Sequence, residues 1–134
     1  MATFLARITI KPGCEAAFER LAADLYEATH AREPGVRRYE YWRGAEDRTY
    51  YCSAAFDDFL AFLAHQTSDH HEELGPKITQ TFESIRLEWV DPVAGASASV
   101  PTEMQPLPDG ATPLEVAYHE RFAADVQDWW RTRR

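Results

Sequence analysis

Residues 3 to 10 alternate strictly: Phe4, Ala6, Ile8 and Ile10 form one face, while Thr3, Leu5, Arg7 and Thr9 form the other. A period of two is that of a strand with one buried side. Lys11-Pro12-Gly13 ends it, and the period then changes. From residue 14 to 32, Phe18, Leu21, Leu25 and Ala28 recur at helical spacing, widened by Ala17 and Ala22. Glu33-Pro34-Gly35 stops that helix, because proline disfavours helical backbone before it and glycine supplies a turn. The same switch from period two to helical spacing recurs further on, and few folds accommodate that order.

Val36 to Arg43 reads as a second strand carrying Tyr39, Tyr41 and Trp42. Gly44-Ala45-Glu46-Asp47 suits a four-residue hairpin loop, and Arg48 to Ala55 follows as a third strand with Tyr50, Tyr51 and Cys52. Asp57 or Asp58 can cap a short helix through Gln66, with Phe59, Leu60, Phe62 and Leu63 apolar. Thr67-Ser68-Asp69 restarts the helix, with Asp69 and Glu72 at capping-box spacing. Leu74, Ile78 and Phe82 supply its apolar side, and Gly75-Pro76 is expected to bend or interrupt it. Ile85 to Val90 is the fourth strand. The order βαββαβ predicts an α+β, ferredoxin-like domain over residues 1–91: a four-stranded antiparallel sheet with both helices on one face.

Strands two and three carry bulky residues on both sides of their alternation, with Val36 and Trp42 on one and Tyr39 and Tyr41 on the other. A sheet that is apolar on both faces must be covered twice. A homodimer, with a second subunit over the face opposite the helices, is the expected cover. Residues 92–134 form an extension rather than an independent domain. Pro92, Pro101, Pro106, Pro108 and Pro113 lie among Ala, Ser and Gly and read as a linker. Thr112-Pro113 opens a last helix whose apolar positions are Leu114, Ala117, Tyr118, Phe122, Val126, Trp129 and Trp130. So apolar a helix is expected to dock on the sheet domain or on the partner subunit.

Charge excludes some partners. With 14 basic against 22 acidic residues the net charge is -8, which argues against a nucleic-acid surface. No apolar run approaches the ~18 residues of a membrane span, and no charged-and-apolar leader precedes the first strand. A cytoplasmic protein without membrane association is expected. Cys14 and Cys52 are too few for a disulfide framework.

Three of the five histidines, His65, His70 and His71, fall within seven residues at the junction of two helices. Histidine is the side chain best suited to moving protons near neutral pH. His65 is the candidate general base; the other reading has it bonding the last carbonyls of its helix. His70 and His71 are adjacent and point about 100° apart on a helix, so at most one is expected to share a pocket with His65. His65, His70, His71, Glu72 and Glu73 are metal-ligand types, but no histidine pair stands four apart, and no metal site is expected. Arg7, Tyr39, Tyr41, Trp42 and Tyr51 are candidates for lining a cavity, although aromatics at strand spacing also build cores and interfaces. Cys52 is expected to be buried without a neighbouring cation, and His30 and His119 to lie at the surface.

Three motifs, in this order, carry a resemblance: the alternating strand ending in Lys11-Pro12-Gly13 before Glu15-Ala16-Ala17-Phe18; Glu33-Pro34-Gly35-Val36 entering the second strand; and His65-x-x-Ser68-x-His70-His71 after an apolar short helix. Over about residues 2 to 91 the chain resembles the antibiotic biosynthesis monooxygenase (ABM) family, including quinol-monooxygenase-like proteins, of the dimeric α+β barrel superfamily. That resemblance implies a homodimer with facing sheets and, in each subunit, a pocket between sheet and helices. It implies oxidation of an electron-rich aromatic (a quinol, phenol or anthrone) by O2, often with no cofactor: neither flavin, haem nor metal. His65 and His70 fall on the motif histidines as catalytic candidates. Arg7, Tyr39, Trp42, Tyr51, Phe56 and His71 are the substrate-binding candidates. Phe56 stands where many relatives have Trp or Tyr, and Ala54 where an acidic residue is common. Haem-degrading relatives use an Asn on the first strand, where this chain has Ala6, which disfavours that activity. The alternative is a non-oxidative dimer that binds a small aromatic or hydrophobic metabolite.

Overall fold

A computed structural model describes residues 1–91 and 104–124 of the 134. The elements run β1 (Ala2–Ile10), α1 (Glu15–Arg32), β2 (Val36–Arg43), β3 (Thr49–Phe56), α2 (Phe59–Gln66), α3 (Asp69–Thr79), β4 (Phe82–Trp89) and α4 (Pro113–Arg121). The four strands form one antiparallel sheet in the order β2-β3-β1-β4. This is the ferredoxin-like α+β arrangement that the alternation of periods predicts. The period-two face of β1 is the buried one: Phe4, Ala6, Ile8 and Ile10 are each at most 4% exposed. On α1 the buried stripe is Phe18, Ala22, Leu25 and Thr29, so a hydroxyl takes the place expected of Ala28.

Helix α2 packs an aromatic cluster onto the sheet. The Phe62 ring lies 5.9 Å from Phe4, 5.6 Å from Phe56 and 4.8 Å from Trp89. Asp58 caps α2 by accepting from the Ala61 N–H at 2.8 Å. Ser68, not Asp69, caps α3, accepting from the His71 N–H. Helix α3 runs unbroken through Gly75-Pro76. Proline at that point costs one backbone bond, which a helix of 11 residues absorbs near its end.

One expectation about strand faces is overturned. Val36 pairs with Phe56 and Arg38 with Ala55, so Arg37 is an extra residue, a β-bulge. The bulge resets the alternation. Val36 packs on the core side with Tyr39 and Tyr41, while Trp42 faces the opposite way at 56% exposure. The outer face of the sheet therefore presents Trp42, Tyr51 and Arg7 in one cross-strand row, with Leu5 beside them. Leu5 and Tyr51 are 47% and 42% exposed.

The extension beyond β4 docks on this domain, as one of the two expected alternatives. A capping box between Thr112 and Glu115, with Pro113 at the first turn, starts α4. The Trp89 indole N–H donates to the Phe122 carbonyl at 3.2 Å, and Phe122 stacks edge-on against Phe62. Most of the proposed linker, and Val126, Trp129 and Trp130, lie outside the described residues. Among the described residues no helix is long and apolar enough to cross a membrane.

Candidate active site

The site is assembled where α1 ends and α2 meets α3. Pro34 and Gly35 stop α1 and turn the chain into β2. A Cβ on Gly35 would stand 2.8 Å from the Ala61 Cβ, so only glycine lets α2 lie this close to the turn. The Asp57 N–H donates to the Gly35 carbonyl at 2.9 Å and fixes the approach. Glu33, the last residue before the turn, is thereby set between His65 at the end of α2 and His70 at the start of α3. Its two carboxylate oxygens are each 3.0 Å from His65 Nδ1, and Oε1 is 2.6 Å from His70 Nε2. Glu33 is 13% exposed at its side chain, His65 1% and His70 7%.

A carboxylate offers only lone pairs, so the nitrogens facing it carry hydrogen. For neutral His65 this fixes the tautomer: Nδ1 holds the proton and Nε2 is a bare acceptor. Nε2 is buried without a partner. A buried acceptor left unpaired is costly and calls for a ligand or water. The ring itself is held between Tyr39 and Phe56, at 4.7 and 5.2 Å.

His65 lines a cavity of about 470 Å³ between the sheet and the helices. Its walls are mostly apolar, with Phe4, Ala6, Ile8, Leu25, Ile78 and Leu87 among them. Tyr39 and Tyr41 also reach it, their hydroxyls bonded to each other at 2.9 Å. Burial raises both phenols above their ordinary value, so they meet a ligand as neutral hydroxyls. Tyr118, Arg121 and Phe122 of the C-terminal extension line the same cavity. The Tyr118 hydroxyl donates to Glu72 Oε1 at 2.5 Å and ties α4 to α3.

Of the two adjacent histidines, His71 and not His70 shares this cavity with His65. The His65 and His71 rings are 4.8 Å apart. Burial, and the nearby His65 and His70 rings, push the His71 pKa down to about 3, so it is neutral at working pH. His70 turns instead to Glu33, with Ser68 Oγ at 3.2 Å and Thr29 Oγ1 at 3.4 Å from its Nε2, beside a separate surface concavity. It can hold the carboxylate that orients His65, but it does not face the sheet.

Other candidates are also relocated. Arg7 and Tyr51 lie on the outer sheet face, where Arg7 pairs with Glu46 at 2.5 Å. Trp42 borders a groove formed by β2 and α1. The Arg37 bulge and the pleat put these three on the far side from His65. Phe56 is fully buried in the core behind the His65 ring. Cys52 is buried at the cavity wall, and burial lifts its thiol to about 12, which makes it inert. His119 is half-buried rather than on the surface, bound through Nε2 to the Gln105 carbonyl at 2.8 Å.

Glu33 is the residue that sequence reasoning passed over as a helix stop. The only group of metal-ligand types that converges among the described residues is Glu33, His65 and His70, with donor atoms within 4.8 Å of one another. Within the trio His65 Nδ1 bonds both Glu33 oxygens at 3.0 Å, and His70 Nε2 stands 2.6 Å from Oε1.

The sequence profile of the antibiotic biosynthesis monooxygenase family matches residues 1–75, more than half of the chain, and the chain belongs to that family. Comparison with functionally characterised proteins by sequence gives no match. Among solved structures, a Caulobacter crescentus protein provisionally assigned to the family is 24% identical, with a TM-score of 0.65 over 69% of this chain and 89% of its own. A Pseudomonas aeruginosa protein is 22% identical, with a TM-score of 0.63 over 69% of this chain and 94% of its own. A Mycobacterium tuberculosis protein is 18% identical, with a TM-score of 0.64 over 72% and 98%. These likenesses show the shared fold.

Proposed function

We propose that the protein is a monooxygenase that oxidises an electron-rich aromatic, such as a quinol, phenol or anthrone, with O2. The observation that carries this reading is a buried histidine whose Nδ1 is held by Glu33 and whose bare Nε2 belongs to a residue lining an apolar cavity. Nε2 takes the phenolic proton, and the carboxylate stabilises the imidazolium that forms. The anion is a far better electron donor to triplet O2 than the neutral phenol. One ring C–H then becomes C=O and the second oxygen leaves as water, so the substrate supplies all the electrons. The neutral Tyr39–Tyr41 hydroxyl pair is placed to stabilise charge developing on oxygen.

The same reading places a second copy of the chain on the outer sheet face. The row Trp42–Tyr51–Arg7–Arg86 lies beside the row Glu40–Ser53–Leu5–Glu88. A two-fold axis near the boundary sets basic ends against acidic ones around an apolar centre.

The test is O2 uptake by metal-stripped protein with a panel of quinols and anthrones, corrected for autoxidation. Uptake that saturates with substrate and falls roughly 10²–10⁴-fold in His65→Ala is expected for loss of a general base. Tight binding without turnover in air would instead establish the non-oxidative binding role. Equal rates in His65→Ala and wild type would remove His65 as the base.

A further inference from the structure

The Glu33 carboxylate stands between imidazole nitrogens from two different helices. Both of its oxygens are 3.0 Å from His65 Nδ1, and Oε1 is 2.6 Å from His70 Nε2. Two histidines and one carboxylate are the ligand set of open zinc centres and of mononuclear non-haem iron centres. Histidines four apart on one helix are not needed, because the end of α1, the end of α2 and the start of α3 each supply one donor.

The distances suit an ion. The three donor atoms lie within 4.8 Å of one another, and three points so spaced always share a centre no further than about 2.8 Å from each. Zinc ligands sit at about 2.0–2.2 Å, so a shift of less than an ångström per donor completes the contact. The Glu33–His70 contact opens in the process, since donors on a tetrahedral ion stand roughly 3.4 Å apart. Access is from outside. Glu33 and His70 line a surface concavity of about 500 Å³ with Ser68 and Asp69, and neither lines the inner cavity. A metal site needs such an entry path. Only His65 belongs to both places: its ring lines the inner cavity, while its Nδ1 meets Glu33. Tyr39 and Phe56 hold that ring, so the donor is oriented in advance.

We propose that Glu33, His65 and His70 bind a divalent cation of the zinc class, and that the ion silences the base. A neutral imidazole carries one hydrogen. An ion on His65 Nδ1 sends that hydrogen to Nε2, which then has no lone pair for a phenolic proton. The ion is reached from the concavity and regulates the site from behind, without meeting the molecule in the inner cavity. The silencing rests on the proposed function; the ion site does not.

The experiment titrates metal-stripped protein with Zn2+ in competition with a chromophoric chelator. One ion per chain is expected. His70→Gln and Glu33→Gln should each weaken it at least tenfold. Cys14→Ser, which removes a half-buried thiol at the far end of α1, should leave it unchanged. Long-range ¹H–¹⁵N spectra of wild type should show the His65 hydrogen on Nδ1 without metal and on Nε2 with Zn2+, which decides the ligand even where a variant fails to fold. No saturable binding by about 100 μM Zn2+ would overturn the site. So would equal affinity in wild type and both trio variants, or a His65 hydrogen that stays on Nδ1 at saturation. O2 uptake by wild type should fall in step with occupancy, and undiminished uptake at full occupancy would overturn the silencing alone. Zn2+ bound as expected by a protein that takes up no O2 when metal-free would sink the oxygenase reading and leave the ion site standing.

Discussion

Glu33→Gln separates the role of the carboxylate from that of its shape. The wild-type carboxylate accepts from His65 Nδ1 at 3.0 Å and stands 2.6 Å from His70 Nε2. Glutamine keeps one acceptor and replaces the other with NH2. With the amide oxygen left on His70, the NH2 stands beside His65 Nδ1–H, donor against donor. His65 relieves this by moving its proton to Nε2, which turns the acceptor into a donor. Charge-assisted bonds contribute about 1.5–3 kcal/mol and neutral ones about 0.5–1.5, so weakening two of them costs on the order of 2 kcal/mol. For a domain of this size that lowers the melting temperature by roughly 5–10 °C. Loss of the base should lower the oxygenation rate about 10²-fold or more. Tautomers are read directly from long-range ¹H–¹⁵N spectra of the histidine rings. A wild-type spectrum with the His65 hydrogen on Nε2 would refute the reasoning, as would a variant with the same spectrum and an unchanged melt.

Other outcomes follow from the same geometry. His71 titrates near 3 in the fold and near 6.5 when unfolded, so between these values the unfolded chain binds more protons. Stability falls as pH drops through that window, by at most about 1.4 kcal/mol per unit from this group. Urea melts should show a shallower pH slope in His71→Phe, and parallel slopes would contradict it. On the outer face, Leu5→Glu with Trp42→Glu should convert a dimer to monomers in sedimentation velocity; a double variant that sediments like wild type would clear that face of any such role. Phe62→Ala opens a hole among Phe4, Phe56 and Trp89 and should cost about 3–5 kcal/mol in chemical denaturation. Native protein should expose one thiol to a disulfide reagent, half-buried Cys14, and two only after unfolding; two rapidly reacting thiols would contradict the burial of Cys52.

The sheet and its helices were legible because they rest on local periods that the chain repeats without ambiguity. The faces of β2 were not, because one extra residue at Arg37 reverses the parity and nothing in Val36-Arg37-Arg38 announces it. His65 stood out by composition, but its partner did not. Glu33 reads as a polar helix end until α2 is laid against Gly35, a contact between residues 35 and 61 that no local pattern encodes. The choice between His70 and His71 depends on the rotational phase of α3, which the Ser68 cap and the packing of the helix decide together.

The proposed base and part of the cavity wall come from separate stretches of chain. His65 and Glu33 sit within the family-matched residues, whereas Tyr118, Arg121 and Phe122 arrive on a capped helix beyond them. A graft that exchanges α4 for another helix would change part of the cavity wall while Glu33 and His65 stay as they are. The wall of the cavity can thus be varied from the tail without altering the Glu33–His65 pair.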